Sequence, residues 1–273
     1  MHKLLGYTLA ALLLTTSCEQ KTIDNKEVTL VPMPEENVAD QSSANDLGYN
    51  GPAMAYVKKI EMTPVEEFAV DKSLRYEITD SGYVEQVDAY YLDGVLVKAV
   101  EKYQEGTYGR RGTKVFYFNE EEGLEAVFHN YDELTSNDLA MYTEKRTYYE
   151  NGKAVYSQLR TTDIYEELPN LAFSKIRTEE NDTKRVMTLV NKAGRFKPHF
   201  IGLLQAQNDL YMLIGEPNVN VGYFSAVKIT HQDDFVKDLM ANEEKYMNQP
   251  VQVNFHVTTG RVRTQVYESA SWN

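Results

Sequence analysis

The sequence is poor in residues that carry redox, metal and nucleophilic chemistry. Its 273 residues include one cysteine, one tryptophan and five histidines. Cys18 therefore has no partner within the chain for a disulfide, and stability must come from core burial, which this length supplies in one or two domains. The motifs His-Glu-x-x-His and Gly-x-Ser-x-Gly and a glycine-rich phosphate loop are absent from the sequence. We therefore predict a chain that is not an enzyme and holds no cofactor.

Positive charge is scarce relative to negative charge. The chain has 28 Lys and Arg against 41 Asp and Glu, which gives a formal net charge of −13. A general nucleic-acid binder needs Lys and Arg to displace counterions from phosphates. Docking on anionic lipid has the same requirement. We expect no nucleic-acid partner and no electrostatic attachment to a membrane.

The apolar run near the N-terminus is short. It covers residues 4–14, follows Lys3, and is far below the roughly 20 residues that a membrane-spanning helix needs. Small residues follow it at Thr15, Thr16 and Ser17. A positive start, an apolar middle and a small-residue exit are typical of a cleaved export signal. We predict a signal peptide over residues 1–17.

The residues Leu14-Thr15-Thr16-Ser17-Cys18 resemble the lipobox of bacterial lipoproteins, in which a small residue precedes a cysteine. The resemblance implies cleavage before Cys18, a diacylglycerol thioether on its sulfur, and acylation of the new amine, for example by palmitate. Several acyl chains anchor a protein stably where one chain binds marginally. In this family, Glu19 after the cysteine favours the outer membrane, on its periplasmic face or at the cell surface. An ordinary secretory signal with an incidental Cys18 is the alternative.

Residues 18–50 have the composition of a tether. They are polar, they are interrupted by Pro32 and Pro34, and they show no apolar periodicity. A segment of this kind buries too little surface to offset the cost of ordering. We predict a lipidated flexible tether there.

Three glycines are spaced 29 residues apart, at Gly94, Gly123 and Gly152. Aromatic residues precede each glycine and aliphatic residues follow it, and the pairs Asp93-Gly94 and Asn151-Gly152 favour tight turns between paired strands. The pattern predicts three successive β-hairpins in a domain over residues 51–165. It fits both a repeat array with one broad face and a plain antiparallel meander.

The stretch Tyr148-Tyr149-Glu150-Asn151-Gly152-Lys153 resembles the core of MORN-variant repeats found in bacterial envelope and antitoxin-like proteins. The resemblance covers one hairpin well and the other two poorly, so it implies no function.

A break in the strand pattern at residues 166–183 predicts a linker to a second domain over residues 184–273. That domain shows three strand patterns at 198–205, 210–214 and 223–229, a helix capped by Asp233, and two further strands at 251–257 and 262–267. This is the order of an OB-fold. Residues 242–253 also resemble the helix-to-strand passage of OB-like domains in exported bacterial proteins, although Gln249-Pro250 replaces the usual Gly-Lys. The predicted fold class is mainly β, with an antiparallel repeated-hairpin sheet followed by an OB-like five-stranded barrel with one helix.

Two groups of side chains are candidates for binding. Aromatic residues are enriched at protein and sugar contacts, which makes a candidate binding face of six tyrosines near the predicted turns: Tyr90, Tyr91, Tyr117, Tyr148, Tyr149 and Tyr156. The alternative is that these are strand residues with half-buried rings. The second group is a candidate anion patch of Lys192, Arg195 and Lys197, beside Phe196 and Phe200, for which an anionic envelope glycan is one candidate ligand. The spacing of these two phenylalanines also suits a core face.

The histidines do not predict a metal site. His199 and His256 lie on predicted strands, but the sequence offers no third ligand near them. The runs of acidic residues, such as Glu120-Glu121-Glu122, fall in predicted turns, where solvated charge explains them.

Together these features favour a non-catalytic, lipid-anchored protein of the cell envelope that binds or scaffolds another protein or an envelope polymer. Two alternatives stay open. One is a carrier or sensor of a small molecule or lipid in a β cavity, and the other is a divergent hydrolase.

Overall fold

A computed structural model describes residues 49–78, 83–106, 109–121, 123–217, 222–258 and 263–272. The predicted signal peptide, Cys18 and nearly all of the predicted tether lie outside these residues. Among the residues described, no helix has the length and apolar character needed to cross a membrane.

The structure confirms a mainly β chain. The helices are α1 (Pro52–Glu61), α2 (Lys184–Val190), α3 (Asp234–Ala241) and α4 (Glu243–Tyr246), with short 3-10 helices at Val65–Glu67, Tyr165–Asn170 and Gly194–Phe196. The strands of the first part are β1 (Ala69–Lys72), β2 (Tyr76–Ile78), β3 (Tyr83–Leu92), β4 (Val95–Glu105), β5 (Arg111–Asn119), β6 (Gly123–Leu134), β7 (Ala140–Glu150), β8 (Lys153–Thr162) and β9 (Ser174–Ile176). Those of the second part are β10 (His199–Ala206), β11 (Asp209–Gly215), β12 (Tyr223–Ile229), β13 (Val251–Val257) and β14 (Gln265–Trp272).

Three hairpins, β3–β4, β5–β6 and β7–β8, form where the glycine spacing predicts them. Asp93 and Gly94 have φ of 51° and 83°, and Asn151 and Gly152 have φ of 50° and 70°. Positive φ at both central residues belongs to the tight turn whose twist matches that of paired strands. Every hairpin also has a register shift a few residues from its turn. The result is an antiparallel meander from β3 to β8 in which one hairpin geometry recurs.

The two faces of the meander pack against different partners. On one face, α1 buries four apolar residues, Ala53, Met54, Val57 and Ile60, against the sheet. On the other face, α2 and the second part of the chain cover Val87, Ala99 and Phe116. Because strand side chains alternate between faces, a sheet covered on both faces buries nearly every central residue.

The predicted linker and the second predicted domain are both joined to the sheet. β9 lies inside residues 166–183 and pairs with β8. β12 pairs with β2 through Tyr223↔Ile78 and Phe224↔Glu77, so one sheet runs through both parts of the chain. The described residues belong to one compact unit. The boundaries of two separate domains stay a prediction.

The last ninety residues follow the predicted order of elements. Asp233 caps α3 by accepting a hydrogen bond from the Val236 amide at 2.9 Å, although α3 and α4 replace the single predicted helix. β10, β11 and β12 pair antiparallel, β14 pairs with β13, and one parallel pair joins Lys228 of β12 to Val266 of β14. An antiparallel bridge links His199 to Pro250. The OB-like barrel itself stays a prediction.

Candidate functional site

A cleft of about 460 Å³ opens beside β3, α2 and the turn at residues 194–196. The side chains that line it are mostly charged or polar: Tyr83, Glu85, Asp182, Lys184, Arg185, Thr188, Arg195 and Phe196. We take this cleft, called here the α2 cleft, as the candidate functional site.

The pattern of α2 places its polar side chains at the α2 cleft. Val186, Leu189 and Val190 are buried in the core. Apolar residues at such spacing occupy one side of a helix, so Lys184, Arg185 and Thr188 are left on the other. The neighbouring turn at residues 194–196 is held to the core by the buried Phe196, and this leaves the preceding Arg195 exposed at the cleft.

Two buried carboxyl groups lie under the cleft. Glu85 on β3 and Glu101 on β4 are 1% and 4% exposed. From α2, Arg185 donates from Nε and Nη2 to the two oxygens of Glu85, both at 2.6 Å. Arg185 Nε is also 3.8 Å from Oε1 of Glu101. A bidentate pair of this geometry is among the strong charge-assisted hydrogen bonds.

The buried Glu101 has a pKa that is shifted towards neutral pH. Burial raises the pKa of Glu101 to about 7, and the adjacent Glu85 adds to the rise while Lys114 and Arg185 oppose it. Two carboxylates so close do not both ionise easily. Glu101 therefore holds its proton up to about pH 7.

A second polar network lies next to the carboxyl pair on the same face of the sheet. The ring of Tyr83 stacks on Tyr103 at 6.3 Å, and the Tyr103 hydroxyl is 2.6 Å from Nε2 of His129. Burial lowers the pKa of His129 to about 3, and nearby Lys114, Arg110 and Lys145 act in the same direction. The imidazole is therefore neutral, and its contact with Tyr103 is a hydrogen bond between neutral groups.

The arrangement is better suited to recognition than to acid catalysis. Carboxyl pairs that share a proton do serve as catalytic acids and bases. Here, however, Arg185 occupies both oxygens of Glu85, so this carboxylate is not available to activate water. The Nη1 group of Arg185 makes no hydrogen bond to any residue that the structure describes. The cleft thus presents an arginine that is fixed in place and has donor capacity left.

The six tyrosines of the predicted binding face do not form one exposed surface. Tyr117, Tyr148 and Tyr149 are each 1% exposed. Tyr117 and Tyr148 pack towards α1, whereas Tyr149 packs in the core on the opposite face. The three partly buried members are also divided, since Tyr90 and Tyr156 lie on the α1 face and Tyr91 on the other. The prediction of a single face is wrong, because consecutive strand residues point to opposite sides of the sheet.

The candidate anion patch is divided in the structure. Lys192 forms an ion pair with Asp71 at 3.0 Å, Arg195 lines the α2 cleft, and Lys197 is exposed outside it. Phe196 and Phe200 are 4% and 0% exposed. The interpretation of these two phenylalanines as core residues is therefore confirmed, and they are not available to stack on a ligand.

The sequence alone did not predict a site at Glu85, Glu101 and Arg185. One feature of the sequence does indicate that Glu85 is buried. Glu85 alternates in β3 with Val87 and Ala89 on the same face of the strand, and both of these residues are buried. An acid on the apolar side of a strand predicts a buried, paired charge. Nothing local indicates its partner, since Arg185 lies 100 residues further along the chain.

The histidines His199 and His256 have separate local partners. His199 Nδ1 is 2.9 Å from the Lys197 carbonyl oxygen, and His256 Nδ1 is 3.0 Å from Glu268. In the part of the chain that the structure describes, no group of three or more His, Cys, Asp or Glu side chains is placed to hold a metal ion.

Comparison of the chain with family models, with curated proteins and with solved structures finds no match.

Proposed function

We propose that this chain is a non-catalytic, lipid-anchored protein of the cell envelope that binds another protein or an envelope polymer at the α2 cleft. The observation that carries the proposal is the fixed position of Arg185. Its guanidinium is held by the buried Glu85 and lies over the Tyr83 ring at 4.3 Å, yet its side chain remains 45% exposed. A donor that is ordered before the ligand arrives loses less entropy on binding.

The anchor is the second element of the proposal, and it rests on the lipobox-like residues that end at Cys18. Lipid on Cys18 would hold the chain at the outer membrane, on the periplasmic face or at the cell surface. Residues 18–50 would then separate the β structure from the bilayer by a flexible coil, on the order of 30 Å in average extension.

Binding is tested by co-sedimentation of the full chain, carrying Cys18→Ser to avoid lipidation, with isolated envelopes of the producing cells. We expect Arg185→Gln to reduce the bound fraction several-fold, because it removes the positioned guanidinium. Arg177→Gln is the matched control, since Arg177 is exposed and does not line the cleft. Equal binding by all three proteins would refute the α2 cleft as the contact site.

The anchor is tested on cells that express the wild type or Cys18→Ala. We expect the wild type in the detergent phase after partition and the variant in the aqueous phase. Protease treatment of intact cells then distinguishes the two faces of the outer membrane. If both proteins partition as soluble chains, the anchor is absent.

A hydrolase is the second candidate, and the specific observation in its favour is the near-neutral pKa of the buried Glu101. Such a pKa suits a general acid. A panel of glycosidase, esterase and peptidase substrates tests it, and turnover that Glu101→Gln abolishes would support it. A carrier of apolar ligands is not favoured at this cleft, because charged side chains line it.

A further inference from the structure

We infer that the α2 cleft binds a ligand through an oxyanion group, a carboxylate or a phosphate, held by Arg185, Arg195 and Lys184. This inference rests on the proposed function, because it names the ligand class for the same cleft.

The charges at the cleft leave cations in excess. Two acids, Glu85 and Asp182, and three bases line it. Glu85 is occupied by Arg185, and Asp182 accepts a hydrogen bond from the Lys184 backbone amide at 2.9 Å. Among the described residues, neither Lys184 nor Arg195 has a carboxylate within 4.0 Å of its charged group. A local excess of positive charge in a chain of net charge −13 favours an anionic ligand.

Both arginines are oriented by aromatic rings. The Arg195 guanidinium lies 5.2 Å from the ring centre of Tyr223 and 5.4 Å from that of Phe196, and Arg185 lies 4.3 Å from the ring centre of Tyr83. Stacking on a ring fixes the plane of a guanidinium and leaves its N–H edge for a ligand. That edge matches the geometry of a carboxylate or phosphate.

The same contacts disfavour a neutral sugar as the main determinant of binding. Stacking of a sugar needs an open aromatic face, but Arg185 lies over one face of Tyr83, which also stacks against Tyr103. Phe196 is buried. A volume of about 460 Å³ suits one acidic sugar unit or a short acidic side chain. α2 has seven residues and contributes side chains to this site rather than a helix dipole.

The test is calorimetric titration of the full chain, carrying Cys18→Ser, at an ionic strength of about 0.1 M, where the Debye length is about 10 Å. Trigalacturonic acid supplies carboxylates, glycerol 3-phosphate supplies a phosphate, and maltotriose is the neutral probe. We expect one or both anions to bind and maltotriose not to bind. The double variant Lys184→Gln/Arg195→Gln should weaken anion binding roughly a hundredfold, because it removes two charge-assisted contacts that each contribute about tenfold in affinity.

Two controls make the outcome specific. Lys192→Gln/Lys197→Gln removes the same charge outside the cleft and should leave the affinity within about twofold, because distant exposed charges are screened. Arg195→Lys keeps the charge but loses the planar fork, and it should fall between the wild type and the double variant. Circular dichroism checks that each variant is folded.

The inference is overturned if no anion binds, or if the two double variants lose affinity equally. Binding of maltotriose that Arg185→Gln abolishes would also overturn it, but would leave the proposed binding function standing. If Arg185→Gln loses envelope binding but the wild type binds neither anion in the calorimeter, the oxyanion is rejected as the ligand class. The α2 cleft would still stand as the binding site.

Discussion

Two titratable side chains on the α2 face of the sheet give the folded chain opposite responses to pH. The raised pKa of Glu101 means that the folded chain retains a proton that the unfolded chain releases between about pH 4.5 and 7. The lowered pKa of His129 means that the folded chain lacks a proton that the unfolded chain binds between about pH 3 and 6.5. By linkage, Glu101 lowers the free energy of unfolding as pH rises from about 4.5 to 7. His129 lowers it as pH falls from about 6.5 to 3.

Glu101→Gln isolates the first of these effects. The amide of Gln imitates the protonated carboxyl and does not ionise. We expect the variant to gain free energy of unfolding relative to the wild type as pH rises from about 5 to about 8, because only the wild type must ionise a buried group. Urea unfolding at several pH values measures the difference. A difference that stays constant with pH would contradict the raised pKa of Glu101.

Tyr103→Phe tests the hydrogen bond to His129. Tyr103 is 7% exposed, and its hydroxyl is the partner of His129 Nε2. Removing it should cost about 1–2 kcal/mol, because a buried nitrogen then lacks its partner. Tyr131→Phe is the control, since the Tyr131 hydroxyl forms no hydrogen bond to another described residue. Chemical denaturation of both variants gives the comparison, and equal losses would show that the Tyr103 hydroxyl has no special role.

Among the elements, the hairpins and the C-terminal strands were predictable, whereas the helices beside the meander were not. Turn chemistry at Asp93-Gly94 and Asn151-Gly152 acts within a few residues, so the sequence predicts those hairpins. Helix α1 carries apolar residues at helical spacing, but it begins after Gly51, where the predicted tether ends. Helix α2 has only seven residues, and the side chain of Thr183 at its start makes no cap hydrogen bond, so its stability comes mainly from packing on β3 and β4.

The pairing of β5 with β6 depends on a close approach at Gly112. A Cβ at this position would lie 2.4 Å from the Asn130 carbonyl oxygen and 2.7 Å from Tyr131 Cβ. We expect Gly112→Ala to destabilise the chain by about 1–3 kcal/mol, because the backbone of β6 must shift. Thr113→Ala, at the next position, should cost less. Thermal unfolding measures the melting temperature of each variant. An unchanged melting temperature for Gly112→Ala would contradict the close approach of β6 to Gly112.

At the scale of the whole molecule, one sheet connects the two parts of the chain that the sequence divides into domains. The contact is long-range, since Tyr223 of β12 pairs with Ile78 of β2. No local pattern encodes such a pairing, and the cleft was not predictable for the same reason. Glu85 and Arg185 come from the two sides of the predicted linker, and only the fold brings them to 2.6 Å.

A continuous sheet predicts cooperative unfolding of the described residues. Trp272, the only tryptophan, stacks on Tyr246 in the C-terminal part at 4.5 Å. Ile60 of α1 is 2% exposed, and Ile60→Ala should cost about 2–5 kcal/mol. We expect this substitution to lower the midpoint of unfolding detected by Trp272 fluorescence. Met62→Ala, at a residue 83% exposed, should leave it unchanged. If Ile60→Ala leaves the midpoint of the Trp272 fluorescence transition unchanged, the two parts of the chain unfold independently.

The central claim, that the α2 cleft is the contact surface, is tested most directly by amide hydrogen exchange. The full chain with Cys18→Ser is compared alone and bound to isolated envelopes. We predict slower exchange on binding in the peptides that cover residues 183–197, and no change in α1 on the opposite face of the sheet. Protection of α1 with none in residues 183–197 would contradict the claim and place the contact on the other side of the molecule.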